Sequence, residues 1–186
     1  MKAIIIPGNG NTDISENWFQ NVKGELEKLG LNVVAENMPD PELARRQYWI
    51  PFIKEKLSSE NSILIGHSSG AVAILKYLEE NKAQLAILVG VCYTDLGDED
   101  EKKSGYYDEP WKWDTIKSNA KKIVIFASKN DPYIPISEAQ HIKDKLDAEY
   151  HEYNDEGHFG SDVNKTEFPE IITVVKKFIE RQKIKL

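Results

Sequence analysis

Ile63-Leu64-Ile65-Gly66-His67-Ser68-Ser69-Gly70, with Ala71, Ala73, Leu75 and Tyr77 following, is the stretch whose reading decides the fold. Three consecutive aliphatics read as a buried strand, the Gly/Ser run as a tight turn, and the residues after it as a helix. This is G-x-S-x-G in a strand-turn-helix setting. Such a turn is so sharp that the positions two before and two after the serine approach each other and the neighbouring backbone. Glycine fits at both because it has no Cβ to clash. Ser68 is then expected at the tip of the strand in a strained conformation, hydroxyl exposed, with a helix N-terminus behind it. A bare G-x-S-x-G also arises by chance, and a Gly/Ser cluster also makes a plain βα turn. The strand before it and the helix after it are what make Ser68 a candidate nucleophile.

The same strand signature recurs on either side, in Ala3-Ile4-Ile5-Ile6, Ala86-Ile87-Leu88-Val89 and Ile123-Val124-Ile125-Phe126. Continuous rather than alternating apolarity marks strands covered on both faces, as in parallel sheets. Leu31-Asn32-Val33-Val34-Ala35 and Ala148-Glu149-Tyr150-His151-Glu152-Tyr153 are weaker strand candidates. Between them lie stretches of helical period, with Trp18, Val22, Leu26 and Leu29 in one and Ile171, Val175, Phe178 and Ile179 in the last. Pro51 is expected to start a new turn or kink the second helical stretch. Strand and helix alternate six times, which predicts an α/β fold: a three-layer α/β/α sandwich on a six-stranded, mainly parallel sheet with right-handed crossovers. Residues 93–114 break the rhythm, with no clear period, and are expected to be a functional or mobile loop. No internal repeat, low-complexity tract or linker divides the chain.

The 186 residues fit one domain, 1–186, able to bury roughly 70% of the surface its unfolded chain exposes. A hydrophobic fraction of 40% and a charged fraction of 30% describe a soluble globular chain. The 24 basic and 31 acidic residues leave a net charge of −7, which disfavours nucleic acid and anionic membrane surfaces as partners. Cys92 is the sole cysteine, so neither an internal disulfide nor a multi-thiolate zinc site is expected. The apolar run after Lys2 is too short for a signal-peptide core, and no run approaches a membrane span. The expectation is a cytoplasmic protein, which the lone sequon Asn164-Lys165-Thr166 does not overturn.

A serine hydroxyl needs a base to take its proton and a group to orient that base. In this setting the acid and then the histidine follow the serine in chain order, on loops after later strands. His67 lies in the turn, His141 in the helix expected over 137–146 and His151 in the last strand; only His158 falls in the loop after that strand. Asp131, in Ser128-Lys129-Asn130-Asp131-Pro132 after the preceding strand, is the matching acid, with Asp95 as runner-up. Taken singly, Asp131 could merely shape an Asp-Pro turn and His158 merely pack beside Phe159. Their joint order and placement select Ser68, Asp131 and His158.

An oxyanion hole needs two further donors. The Ser69 N–H is one candidate, and Asn9 or Gly10, in the Pro7-Gly8-Asn9-Gly10-Asn11 loop, supplies the other. Gly8-Asn9-Gly10 is a poor dinucleotide fingerprint, since Asp13 stands where its last glycine belongs. The acidic run over 95–101 lacks calcium-loop spacing and reads as a solvated loop. Tyr93, Trp111 and Trp113, with Tyr106 and Tyr107, either wall a substrate pocket or form a satellite cluster under a long loop. Lys176, Lys177, Arg181, Lys183 and Lys185 read as the wet face of the last helix. No metal or organic cofactor is required.

These residues, together with Asn37-Met38-Pro39-Asp40-Pro41, Tyr93-Thr94-Asp95-Leu96-Gly97-Asp98-Glu99, Pro110-Trp111-Lys112-Trp113, Gly157-His158-Phe159 and Ile172-Thr173-Val174-Val175-Lys176, give the chain its resemblance to a known family. It resembles the retinoblastoma-binding protein 9 family of small serine hydrolases, within the α/β-hydrolase superfamily. The resemblance implies a compact α/β-hydrolase sheet without the first strands of larger relatives, and a triad on Ser68, Asp131 and His158. The family's L-x-C-x-E motif has no counterpart, since Leu57-Ser58-Ser59-Glu60 lacks the cysteine and the spacing, so retinoblastoma protein binding is not expected. Residues 160–165 also read as longer than in those relatives. The expected function is hydrolysis of small ester or peptide-like amide substrates through an acyl-enzyme. The alternative is a non-catalytic module that docks a protein partner on the 93–114 surface.

Overall fold

The computed structural model describes residues 1–57 and 60–184. Ser58 and Ser59 of the Leu57-Ser58-Ser59-Glu60 stretch, and Lys185, lie outside the described residues. Along the chain run β1 (Lys2–Ile6), α1 (Phe19–Lys28), β2 (Asn32–Val34), α2 (Arg46–Lys56), β3 (Ser62–His67), α3 (Ser69–Leu78) and β4 (Ala83–Val89). Then come α4 (Glu99–Ser104), α5 (Trp113–Asn119), β5 (Ala120–Ser128), α6 (Ile136–Leu146), β6 (Glu149–Tyr153), a short 3-10 turn at Ser161–Val163, and α7 (Pro169–Ile184).

The six strands pair in the order β2-β1-β3-β4-β5-β6, and every pairing is parallel. The continuous aliphatic runs split by alternation between two cores. Ile4, Ile6, Leu64, Ala86, Leu88, Ile123 and Ile125 face a layer built from α2, α3, α5 and α6. Ala3, Ile5, Ile63, Ile65, Leu85, Ile87, Val124 and Phe126 face α1 and α7. Both faces are thus covered, which is why these strands lack a polar side. The central helix α3 is buried along its whole length, as an apolar surface all round requires.

The chain leaves β1 towards β2 on one side, then crosses back to β3 and continues outward through β6. That reversal lies between β1 and β3, and in open parallel sheets a crevice forms outside the carboxyl ends of the strands at such a point. The loop after β1 and the turn after β3 are therefore the two segments that topology brings to one mouth.

Two local expectations change, and Pro51 lies within a helix. Leu29 is 37% exposed: α1 stops at Lys28, Gly30 takes φ +83°, and Leu31 fills the core in its place. The helix α2 runs on through Pro51, which sits on its exposed side. Residues 93–114 are not structureless, since they carry α4 and the start of α5. Six polar residues make α4, and its ends are set by caps: the Asp98 carboxylate accepts the Asp100 and Glu101 N–H groups, and Gly105 closes the helix in the left-handed region.

Candidate active site

Ser68 sits between β3 and α3 with φ +54° and ψ −124°, a strained conformation for a residue with a side chain. The glycines on either side make it possible. A Cβ on Gly66 would lie 2.5 Å from the Gly70 carbonyl group, and one on Gly70 would drive into the carbonyl oxygens of Ile6 and Pro7 at the end of β1. The Ser68 N–H donates to the Val89 carbonyl at 2.9 Å, which ties the turn to the end of β4.

His158 and Asp131 meet over the ends of β5 and β6. Asp131 Oδ2 lies 2.7 Å from His158 Nδ1, while Oδ1 accepts the N–H groups of Tyr133 at 2.9 Å and Ile134 at 3.0 Å. An ionised carboxylate only accepts, so Nδ1 carries the imidazole proton and Nε2 keeps its lone pair. The two loops are stitched together through Asn130, whose side-chain oxygen accepts from Ser128 Oγ and from the Gly157 N–H, each at 2.8 Å. Gly90, at φ +56°, lies directly beneath the pair; a Cβ there would stand 3.1 Å from His158 Cε1.

The backbone around His158 is held from three further directions that the sequence reading missed. Its N–H donates to Asp162 Oδ2 at 2.6 Å, its carbonyl lies 2.7 Å from His67 Nε2, and the Phe159 carbonyl accepts from Trp18 Nε1 at 2.9 Å. Phe159 is itself buried and stacked on Phe168. His67 Nε2 faces a carbonyl oxygen and must be the protonated nitrogen. Burial, with the neighbouring His158 imidazole as a second cause, pushes its pKa down to about 3, so the ring stays neutral.

Ser68, Ser69 and His158 line one cleft of about 760 Å³ together with the loop after β1. At the mouth stand Leu96 and Tyr133, and the Tyr133 ring meets His158 edge-on at 5.1 Å. Glu16, Glu42, Asp98, Asp100, Glu101 and Asp162 are on the walls, and among the described residues no lysine or arginine is.

Two of the sequence expectations require correction. Gly10 cannot serve as an oxyanion donor, because its N–H already donates to the Glu42 carbonyl at 3.1 Å. The Asn9 and Ser69 N–H groups have no acceptor among the described residues, and Ser69, in the first turn of α3, is left without an intrahelical acceptor. Tyr93, Trp111 and Trp113 do not line the cleft. Trp111 stacks on Trp113, Trp113 meets Tyr93 edge-on, and Tyr93 stacks on His141, all packed against the core. Their anchor is a buried pair: Lys76 Nζ lies 3.1 Å from both Glu79 oxygens and 4.6 Å over the Trp111 ring, and Trp111 Nε1 donates to the Tyr93 carbonyl at 2.8 Å. Tyr106 is buried, while Tyr93, Tyr107, Trp111 and Trp113 are partly buried against the core. Asp95, the runner-up acid, spends Oδ1 on the Gly97 N–H at 2.8 Å within its own loop.

The acidic run is only partly solvated. Glu101 is half-buried, and its carboxylate receives Asn9 Nδ2 at 2.8 Å and Tyr107 OH at 3.2 Å. Among the described residues no three His, Cys, Asp or Glu side chains are grouped to hold a metal ion, and no helix is long and apolar enough to cross a membrane.

The serine hydrolase family model matches residues 3–177. The chain belongs to the serine hydrolase family. Serine hydrolase RBBP9 of Rattus norvegicus is 44% identical over 181 residues, covering 96% of this chain and 95% of that protein. YdeN of Bacillus subtilis (strain 168) is 28% identical over 190 residues, covering 97% and 98% of the two chains. The crystal structure of the B. subtilis ydeN gene product superposes with a TM-score of 0.87 at 26% identity, over 96% of this chain and 98% of that one. This serine hydrolase is therefore an enzyme with hydrolase activity on an α/β-hydrolase sheet, in agreement with the family read from its motifs.

Proposed function

We propose that this serine hydrolase transfers the acyl group of small ester or peptide-like amide substrates to water through Ser68, His158 and Asp131. One observation carries the reading: the strained, cleft-lining Ser68 shares its cleft with an imidazole whose far nitrogen is held at 2.7 Å by a buried carboxylate. In the first half-reaction His158 Nε2 takes the Ser68 hydroxyl proton as Oγ attacks the carbonyl carbon. The developing oxyanion is met by the N–H groups of Ser69 and Asn9, and the imidazolium returns its proton to the departing alcohol or amine. In the second half, water repeats the attack on the acyl-enzyme and Ser68 leaves protonated. Asp131 does not take up the proton; it holds the ring in the tautomer that leaves Nε2 basic, and it stabilises the imidazolium.

A cleft of about 760 Å³ is in the range of small-molecule sites and suits compact substrates. The test is pre-steady-state kinetics with a p-nitrophenyl ester. A burst of p-nitrophenolate approaching one equivalent per chain, absent in Ser68→Ala, supports an acyl-enzyme on Ser68. A burst that survives in Ser68→Ala overturns the assignment.

A further inference from the structure

The loop after β1 and the helix α4 lie ninety-two positions apart in the chain, yet one side-chain contact joins them across the cleft, Asn9 Nδ2 to Glu101 Oε1 at 2.8 Å. The surroundings of that contact are built rather than incidental. Glu101 is the third residue of α4, fixed there by its own N–H on the Asp98 carboxylate at 3.0 Å. Its second oxygen accepts Tyr107 OH at 3.2 Å, and that hydroxyl lies 3.2 Å from the thiol of Cys92, which burial pushes up to about 12 and so keeps protonated. Tyr107 thus donates to the carboxylate and accepts from the thiol. Burial also raises the pKa of Glu101, so its carboxylate relies on the Asn9 and Tyr107 donors in place of water.

On the other side, Asn9 has little freedom. Its carbonyl accepts Thr12 Oγ1 at 2.7 Å, and the next N–H, that of Gly10, is taken by Glu42 at 3.1 Å. What remains free at this point of the loop is the Asn9 N–H. Oxyanion donors act only when held within a few tenths of an ångström of where charge develops.

Resting on the triad reading above, we propose that Glu101 is a positioning residue: through its bond to the Asn9 side chain it fixes the Asn9 backbone N–H as the second oxyanion donor. The acidic helix α4 therefore completes the cleft by bracing the β1 loop, and Glu101 takes part in catalysis through Asn9 rather than by acting on the reacting atoms.

Steady-state kinetics with p-nitrophenyl acetate test this on the full chain. Loss of a single oxyanion donor costs about 10²–10³ in kcat, so a loosened one in Glu101→Ala should lower kcat about 10- to 100-fold while KM changes by less than about threefold. Glu101→Gln, whose carbonyl oxygen still accepts from Asn9, should restore kcat to within about threefold of wild type. Asn9→Ala should match Glu101→Ala, and the double variant should be no slower than either single, because both remove the same restraint. If Glu101→Ala fails to fold, Asn9→Ala and Glu101→Gln carry the test. Wild-type kcat in Asn9→Ala, losses that multiply in the double variant, or a change confined to KM overturns the role while leaving Ser68-dependent turnover in place. Absence of Ser68-dependent turnover in the wild type removes the triad reading itself, and this role with it.

Discussion

Asp131 approaches His158 from behind, with Oδ2 2.7 Å from Nδ1, while Oδ1 is anchored by two backbone N–H groups of its own loop. The two oxygens have separate duties, one structural and one electrostatic. Asn at this position keeps a carbonyl oxygen for the loop N–H groups but presents an amide to the imidazole. Asp131→Asn should therefore unfold at nearly the wild-type temperature and lose up to about 10⁴ in kcat, the size of the penalty for the wrong histidine tautomer. Ester hydrolysis rates alongside thermal melts would check this, and near-normal kcat would remove Asp131 from the mechanism.

His67 makes the fold sensitive to acid. Its pKa is lowered to about 3 from an ordinary 6.5, so between those values the unfolded chain binds a proton that the folded chain refuses. The associated stability is complete above about pH 6.5 and is lost progressively as pH falls towards 3, at up to about 1.4 kcal/mol per pH unit. Urea unfolding at pH 7, 6 and 5 should show a steeper loss in wild type than in His67→Gln. Equal slopes would mean that the buried ring contributes nothing.

Two glycines, Gly70 in the turn at Ser68 and Gly24 in α1, are opposite in character. Gly70→Ala pushes a methyl group into the Ile6 and Pro7 carbonyl oxygens and should destabilise by about 3 kcal/mol or yield no folded protein. Gly24→Ala, in the middle of α1 with open space where the methyl group would go, should stabilise by roughly 0.5–1 kcal/mol. Denaturant midpoints of the two variants would decide both.

The G-x-S-x-G turn was legible because glycine spacing, a preceding aliphatic run and a following helical period report one backbone geometry. Asp131 and His158 were legible by order along the chain, because βα topology places successive loops at one end of the sheet. The helix α4 has no apolar period to read; its only sequence signals are Asp98 at one end and Gly105 at the other. Glu101, Trp18, His67 and Asp162 act through contacts far apart in the chain or through turns that follow no period. Choosing between Asn9 and Gly10 needed the position of Glu42, whose carbonyl occupies the Gly10 N–H. The packing of Trp111 involves the buried Lys76 and Glu79, which in sequence read only as part of a helix and its end.

Carboxylates on cleft walls that carry no lysine or arginine among the described residues repel anions. An ester carrying a carboxylate, such as p-nitrophenyl hemisuccinate, should show a lower kcat/KM than a neutral ester of similar size. The gap should narrow as salt is raised, because exposed charges are screened over about 10 Å at 0.1 M. Equal efficiencies at low salt would show that these carboxylates do not act on substrate.

The central assignment is the nucleophile, and intact-protein mass spectrometry after treatment with a fluorophosphonate tests it most directly. The predicted result is one adduct per chain, mapped to the peptide containing Ser68 and absent from a Ser68→Ala protein that melts at the wild-type temperature. A folded wild-type protein that stays unmodified, or an adduct formed in equal yield on Ser68→Ala, would contradict it.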